Sequence, residues 1–175
     1  MLKLGLQVFP GRMPVFSVLF VCMGNLCRSP TAQGVFRQRV ASAGLARQVR
    51  IASVGTHAAL GERADPRAQA CARQHGYDLS DLRSRPLVTG DCETFDLLLA
   101  MDAHNLGHLR RFCPPAQQQR VRRLTEFCLQ AEHFTVLDVP DPYYGNAQGF
   151  AQVLALIEDA CDGLLIYVQQ QLKQV

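Results

Sequence analysis

Residues 15–21 read VFSVLFV, and the chain leaves this run directly through Cys22-Met23-Gly24-Asn25-Leu26-Cys27-Arg28-Ser29-Pro30. The run is short, apolar, β-branched and aromatic, which is the pattern of a buried strand. Ser29 before Pro30 predicts an N-cap and a proline at the first helical position. The helix that follows, carrying Val35, Phe36 and Val40, should end near Gly44. A buried strand, a tight loop and a helix within thirty residues commit the chain to a βα unit, because the helix must cover a strand that has no polar face.

The same alternation continues. Residues 49–54 (VRIASV) predict a second strand, and Asp65-Pro66 predicts the start of a helix that Gly76 stops. Residues 95–101 (FDLLLAM) predict a third strand, followed by a helix over 102–112; residues 121–127 are read as a fourth strand. Phe150, Val153, Leu154, Ile157, Ala160, Cys161, Leu164, Leu165, Val168 and Leu172 recur at helical spacing. The expected fold is α/β, a single domain with a mostly parallel four-stranded sheet flanked by helices on both faces. Such sheets bind ligands at the C-terminal ends of their strands.

Composition narrows the function classes. With 175 residues, 48% of them apolar and 19% charged, the chain can bury one core and is not disordered as a whole. A net charge of +3 is too mild to argue nucleic-acid binding. No stretch approaches 18 uninterrupted apolar residues, so no membrane span is expected. Residues 1–14 are read as an N-terminal extension and not a signal peptide, with the domain over 15–175 and Met13 as an alternative start. Seven cysteines, irregularly spaced and without a secretory signal, predict free thiols in a reducing cytoplasm and no disulfide framework.

Cys22 stands at the exit of the first strand and Arg28 six positions on. Gly24 and Asn25 between them tolerate left-handed backbone. A loop wound onto a helix N-terminus turns successive N–H groups inward, making an anion nest of phosphate size. A cysteine at its base feels the same field, and helix N-termini and nearby cations favour thiolates. Arg28 offers a bidentate fork to phosphate oxygens, and the Ser29 hydroxyl can donate to a thiolate. Together they supply a nucleophile, an oxyanion cradle and a charge clamp. An aryl oxide leaves well only when protonated. Near the C-terminus, Asp138-Val139-Pro140-Asp141-Pro142-Tyr143-Tyr144-Gly145 holds Asp141 between two prolines, with two tyrosines able to flank an aromatic ring.

These blocks resemble the low-molecular-weight protein tyrosine phosphatase family over nearly the whole chain, in VLFVCMGNLCRSPTAQGVF, SVGT, DPRA, FDLLLAMDAHN and DVPDPYYGN. The resemblance is to its bacterial members. It implies hydrolysis of phosphotyrosine through a phosphocysteine, with Cys22 as nucleophile and Asp141 as general acid and then general base. It implies that Arg28 and the amides of Met23, Gly24, Asn25, Leu26, Cys27, Arg28 and Ser29 bind phosphate. Asn25 would be held through Ser29, Ser53 and His75, Asp102 would be structural, and Tyr143 and Tyr144 would wall the substrate cleft. Cys27 would pair with the nucleophile under oxidation. No metal or other cofactor is implied. Phosphotyrosine proteins are the implied partners, an autophosphorylating bacterial tyrosine kinase among the candidates; no nucleic acid or membrane is implied, and the chain is read as a monomer.

Relatives carry an aromatic or large apolar residue on the other cleft wall, where this chain has His57-Ala58-Ala59-Leu60-Gly61. Three rivals share parts of the pattern. An arsenate reductase of the same fold uses two further cysteines close in sequence, whereas Cys71 and Cys92 here are far apart and suit buried packing. A protein arginine phosphatase carries threonine where this chain has Leu26. A silent phosphotyrosine-binding module would not need Cys22, Arg28 and Asp141 together. His104 and His108 have a zinc-compatible spacing without an evident third ligand, and Arg110, Arg111, Arg120, Arg122 and Arg123 form a basic stretch read as solvated surface.

Overall fold

A computed structural model of the chain describes residues 15–174, so the expected N-terminal extension lies outside the described residues. Four strands, β1 (Phe16–Cys22), β2 (Val49–Gly55), β3 (Leu97–Ala100) and β4 (Val121–Arg123), form one sheet in the order β2-β1-β3-β4. Every pairing is parallel, with Cys22 opposite Gly55 and Val21 opposite Ala100. The helices are α1 (Arg28–Ser42), α2 (Pro66–Gln74), α3 (Thr89–Thr94), α4 (Ala103–Phe112) and α5 (Ala147–Leu172).

All seven residues of β1 are buried because both faces of the sheet are covered. Side chains alternate across a strand, and the core divides accordingly. Phe16, Val18 and Phe20 pack with Val35 and Phe36 of α1 and with Leu154, Ile157 and Leu164 of α5. Leu19 and Val21 pack on the opposite side with Cys92 of α3 and Leu106 and Leu109 of α4. The two central strands β1 and β3 therefore send their chains to helices on opposite faces, α1 and α4. Their C-terminal ends flank the crevice at which such sheets bind ligands.

Three local expectations change. Helix α1 begins at Arg28 with Cys27 as its N-cap, so Ser29 lies inside the first turn and caps nothing. The fourth strand stops at Arg123, whose N–H donates to Glu126 Oε1 at 2.8 Å, and residues 124–127 turn into a 3-10 helix. Helix α3 is too short to show a period and was not expected. The second helix keeps its predicted start, with Asp65 accepting from the Arg67 N–H at 2.8 Å, and Gly76 follows it at φ 85°.

The cysteines depart from the expectation of free thiols. Cys92 of α3 and Cys113, the C-cap of α4, are joined by a disulfide, their Cα atoms 5.5 Å apart. Packing of α3 beside the end of α4 brings them together across a sequence separation of 21, which no local pattern reveals. Cys22, Cys27, Cys71, Cys128 and Cys161 are free.

One buried carboxylate ties the irregular segment after β4 to α5. Asp159 accepts the N–H groups of Leu129 and Gln130 at 3.2 Å and the ring Nδ1–H of His133 at 2.7 Å. Burial alone would raise its pKa; the hydrogen bonds from His133, Gln130 and Leu129 outweigh that and leave it lowered.

Candidate active site

The β1–α1 loop is shaped by two backbone facts. Asn25, 3% exposed, takes φ 55°, a left-handed conformation that asparagine tolerates better than most residues. Gly55, at the end of β2, lies so close that a Cβ there would sit 2.5 Å from the Met23 carbonyl oxygen and 2.9 Å from the Asn25 nitrogen. The loop is also held from outside by the Thr56 N–H on the Cys22 carbonyl, the His57 N–H on Met23 and the Asp65 N–H on Leu26, all at 2.8–2.9 Å.

Inside the loop, the Asn25 N–H donates to Cys22 Sγ at 3.2 Å, and Ser29 Oγ lies 3.0 Å from the same sulfur. Asn25 Nδ2 donates to Ser29 Oγ at 2.8 Å and to Ser53 Oγ at 2.9 Å; its Oδ1 accepts the Arg85 N–H at 3.0 Å. Ser53 in turn donates to Gln33 Oε1 at 2.6 Å. Among the described residues, the N–H groups of Met23, Gly24, Leu26, Cys27, Arg28 and Ser29 donate to no protein acceptor. These six free donors lie in the loop and first turn of α1, where a loop entering a helix is expected to hold an anion.

Arg28 is 3% exposed and joins the two ends of the chain. Nη1 donates to Asp102 Oδ2 at 2.6 Å and to the Val139 carbonyl at 3.2 Å, while Nη2 donates to Asp141 Oδ2 at 3.1 Å. Asp102 is held in its turn as the N-cap of α4, taking the Asn105 N–H at 2.7 Å. Asp141, 42% exposed at its side chain, is steadied by the Tyr143 N–H at 3.1 Å. The two carboxylates and the guanidinium open onto a cleft of about 340 Å³, also lined by Met23, Thr56 and His57.

Cys22, Arg28, Ser29, Asn25, Ser53 and Asp141 thus come together. His75 does not: it is exposed at the C-cap of α2, its Nδ1 paired with the Cys71 carbonyl at 3.0 Å, outside the hydrogen-bond network of Asn25. Gln33 and Arg85 occupy that network instead. Neither carries a sequence signal, because one reaches Ser53 from mid-helix and the other contributes a backbone N–H. Tyr143 and Tyr144 follow Asp141 with rings edge to face at 5.0 Å; Tyr144 is 94% exposed. Cys27 faces away from the nest into a small cluster with Ala68 and Phe150. Burial first, then the Asp65 carboxylate and the neighbouring Cys22, push its thiol up to about 12.

Comparison with known proteins agrees with this geometry. The family model for low molecular weight phosphotyrosine protein phosphatase matches residues 17–174. The low molecular weight protein-tyrosine-phosphatase of Streptomyces coelicolor is 43% identical over 161 residues, covering 90% of this chain and 96% of its own. Among solved structures, a protein tyrosine phosphatase from Entamoeba histolytica with Hepes in its active site superposes with a TM-score of 0.82 at 35% identity, over 89% of this chain and 97% of its own. The YwlE arginine phosphatase, solved with a phosphorylated active-site serine, gives a TM-score of 0.78 at 26% identity, over 88% and 96%. Matched from the first strand to the end of the last helix, the chain belongs to the low-molecular-weight phosphotyrosine protein phosphatase family.

Proposed function

We propose that the protein hydrolyses phosphotyrosine in proteins, and small aryl phosphates, through a phosphocysteine on Cys22. The observation that carries this is the loop from Cys22 to Ser29, whose N–H groups at 23, 24 and 26–29 have no protein acceptor among the described residues and which sets the Asn25 N–H on Cys22 Sγ beside the buried Arg28 fork. The thiolate attacks phosphorus in line, the phosphorus–oxygen bond breaks, and protonated Asp141 gives its proton to the tyrosyl oxygen. Water then attacks phosphorus, passing a proton to Asp141 as the thiolate leaves. The loop amides and Arg28 hold the equatorial oxygens, where charge is concentrated.

The Arg28 fork faces a choice. Its Nη2 pairs with Asp141, and a phosphate dianion competes for the same donor. Bound phosphate therefore weakens that pair and releases the Asp141 carboxyl for the leaving oxygen. Asp102 stays on Nη1 and keeps the guanidinium aimed. Turnover of aryl phosphates should be bell-shaped in pH, peaking on the acidic side.

The test is hydrolysis of p-nitrophenyl phosphate by the wild type and two variants. Cys22→Ser should abolish turnover, and Asp141→Ala should lower kcat by about 10²–10³-fold. Unchanged turnover in Cys22→Ser would overturn the mechanism. The solved arginine phosphatase among the structural neighbours makes phosphoarginine the second substrate to assay; Leu26 at the position where that subgroup carries threonine favours phosphotyrosine. Phosphotyrosine proteins are the partners we propose, an autophosphorylating bacterial tyrosine kinase among them, acted on by a monomer in the cytoplasm. Cys27 is the proposed partner of Cys22 under oxidation.

A further inference from the structure

The cleft that holds Arg28 and Asp141 has a second wall. His104, His108 and Arg111 project from α4 at spacings of four and three, so they share one face of the helix. His57, from the loop after β2, meets them: its ring lies 5.5 Å from that of His108. This is the wall whose own loop residues are small, Ala58 and Ala59.

The wall is arranged to receive negative charge. The two carboxylates in the cleft, Asp102 and Asp141, are both already paired with Arg28. Arg111 forms no ion pair among the described residues; its guanidinium lies over Gly107, where an added Cβ would come within 3.4 Å of Nη1. His108 is held by stacking on Phe112 at 5.8 Å, and the His57 Nδ1 is engaged by Thr56 Oγ1 at 2.9 Å, which fixes both rings. Burial, and then the neighbouring His57 and Arg111, lower the pKa of His108, so at neutral pH its ring serves as a hydrogen-bond donor while Arg111 supplies the charge.

We propose that His57, His104, His108 and Arg111 form a second anion subsite, which takes a carboxylate or phosphoryl group carried by the substrate chain beside its phosphotyrosine. The proposal rests on the phosphatase reading and adds the substrate class: acidic or multiply phosphorylated peptides. A cleft of about 340 Å³ is within the range that holds small ligands. The Cys22 nest takes the reacting phosphate at one end, leaving the histidine wall to read what flanks it.

Three phosphotyrosine peptides test this, identical except for neighbours that are alanine, glutamate or phosphoserine. For the wild type, kcat/KM for the glutamate and phosphoserine peptides should exceed that for the alanine peptide by about tenfold, the gain of one or two charge-assisted hydrogen bonds. Arg111→Ala and His108→Ala should bring that ratio close to one, and Arg111→Lys should restore part of it. All three peptides share one reacting group, so the ratio is insensitive to changes in the chemical step. Comparing the glutamate and phosphoserine arms tells a carboxylate subsite from a phosphoryl one. Titration of Cys22→Ser with the same peptides should give the same ordering in Kd. A wild-type ratio near one, or a ratio that both alanine variants leave intact, overturns the subsite. Failure of the wild type to hydrolyse p-nitrophenyl phosphate would overturn the phosphatase reading instead.

Discussion

Two cysteines five residues apart share the loop between β1 and α1, and their surroundings differ. Cys22 receives a backbone N–H and sits beside a hydroxyl; Cys27 is packed against Ala68 and Phe150. With its thiol pushed up to about 12, only about one Cys27 in 10⁵ is ionised at pH 7. One equivalent of iodoacetamide at neutral pH should therefore modify Cys22 first, and peptide mapping should find Cys27 unlabelled. Prior labelling of Cys27 would contradict the assignment. Cys22, Arg28 and Asp141 stand out in the sequence as candidates because each is a residue type that phosphoryl transfer requires, set beside a strand end, a helix start or a pair of prolines. His75 was misplaced because a histidine near Gly76 fits a loop-support role and a helix C-cap equally well, and only packing tells them apart. The pairing of Asp102 with Arg28 was hidden for a related reason: one carboxylate serves both as the cap of α4 and as an ion-pair partner of a residue 74 positions away.

Elements pack here by close backbone approach, and glycine marks one such place. At Gly163 in α5 a Cβ would lie 1.8 Å from the Phe127 carbonyl oxygen, in the turn after β4. Gly163→Ala must force these segments apart and should cost about 3 kcal/mol, the upper end of overpacking penalties, measured as a shift in denaturant midpoint. The same turn is anchored by Asp159. Its pKa is lowered in the folded state, so its contribution is complete above the unfolded carboxylate value of about 3.9 and fades as pH falls towards the folded value. Acid titration of the wild type should show stability falling below about pH 4. Asp159→Asn should be less stable at pH 7 and show a shallower acid slope. The strand expected over 121–127 ends early because Glu126 caps the Arg123 N–H and closes the turn that follows. The long helix α5 was recoverable because a sustained 3.6-residue period admits no other structure.

Across the molecule, the sheet is the frame and the disulfide a clamp on one side of it. Cys92–Cys113 ties α3 to the end of α4, the helix that carries Asp102 and the histidine wall. A bond closing a loop of this length is worth about 3 kcal/mol in the chain-entropy model. For a protein of this size, reduction with dithiothreitol should lower Tm by about 6–12 °C, with turnover at 25 °C kept because Cys22 is untouched. An unchanged Tm would show that the packing of α3 on α4 holds without the bond. The sequence by itself determined the alternation of strands and helices and the covering of both sheet faces. Hydrophobic period, capping chemistry and side-chain reactivity are local properties written residue by residue. The tertiary structure alone decided which distant groups meet: Arg28 with Asp141 across 113 positions, Cys92 with Cys113, and His57 with the α4 histidines. Those meetings follow from strand order and helix packing, which depend on the whole core closing at once and leave no trace in any short stretch of chain.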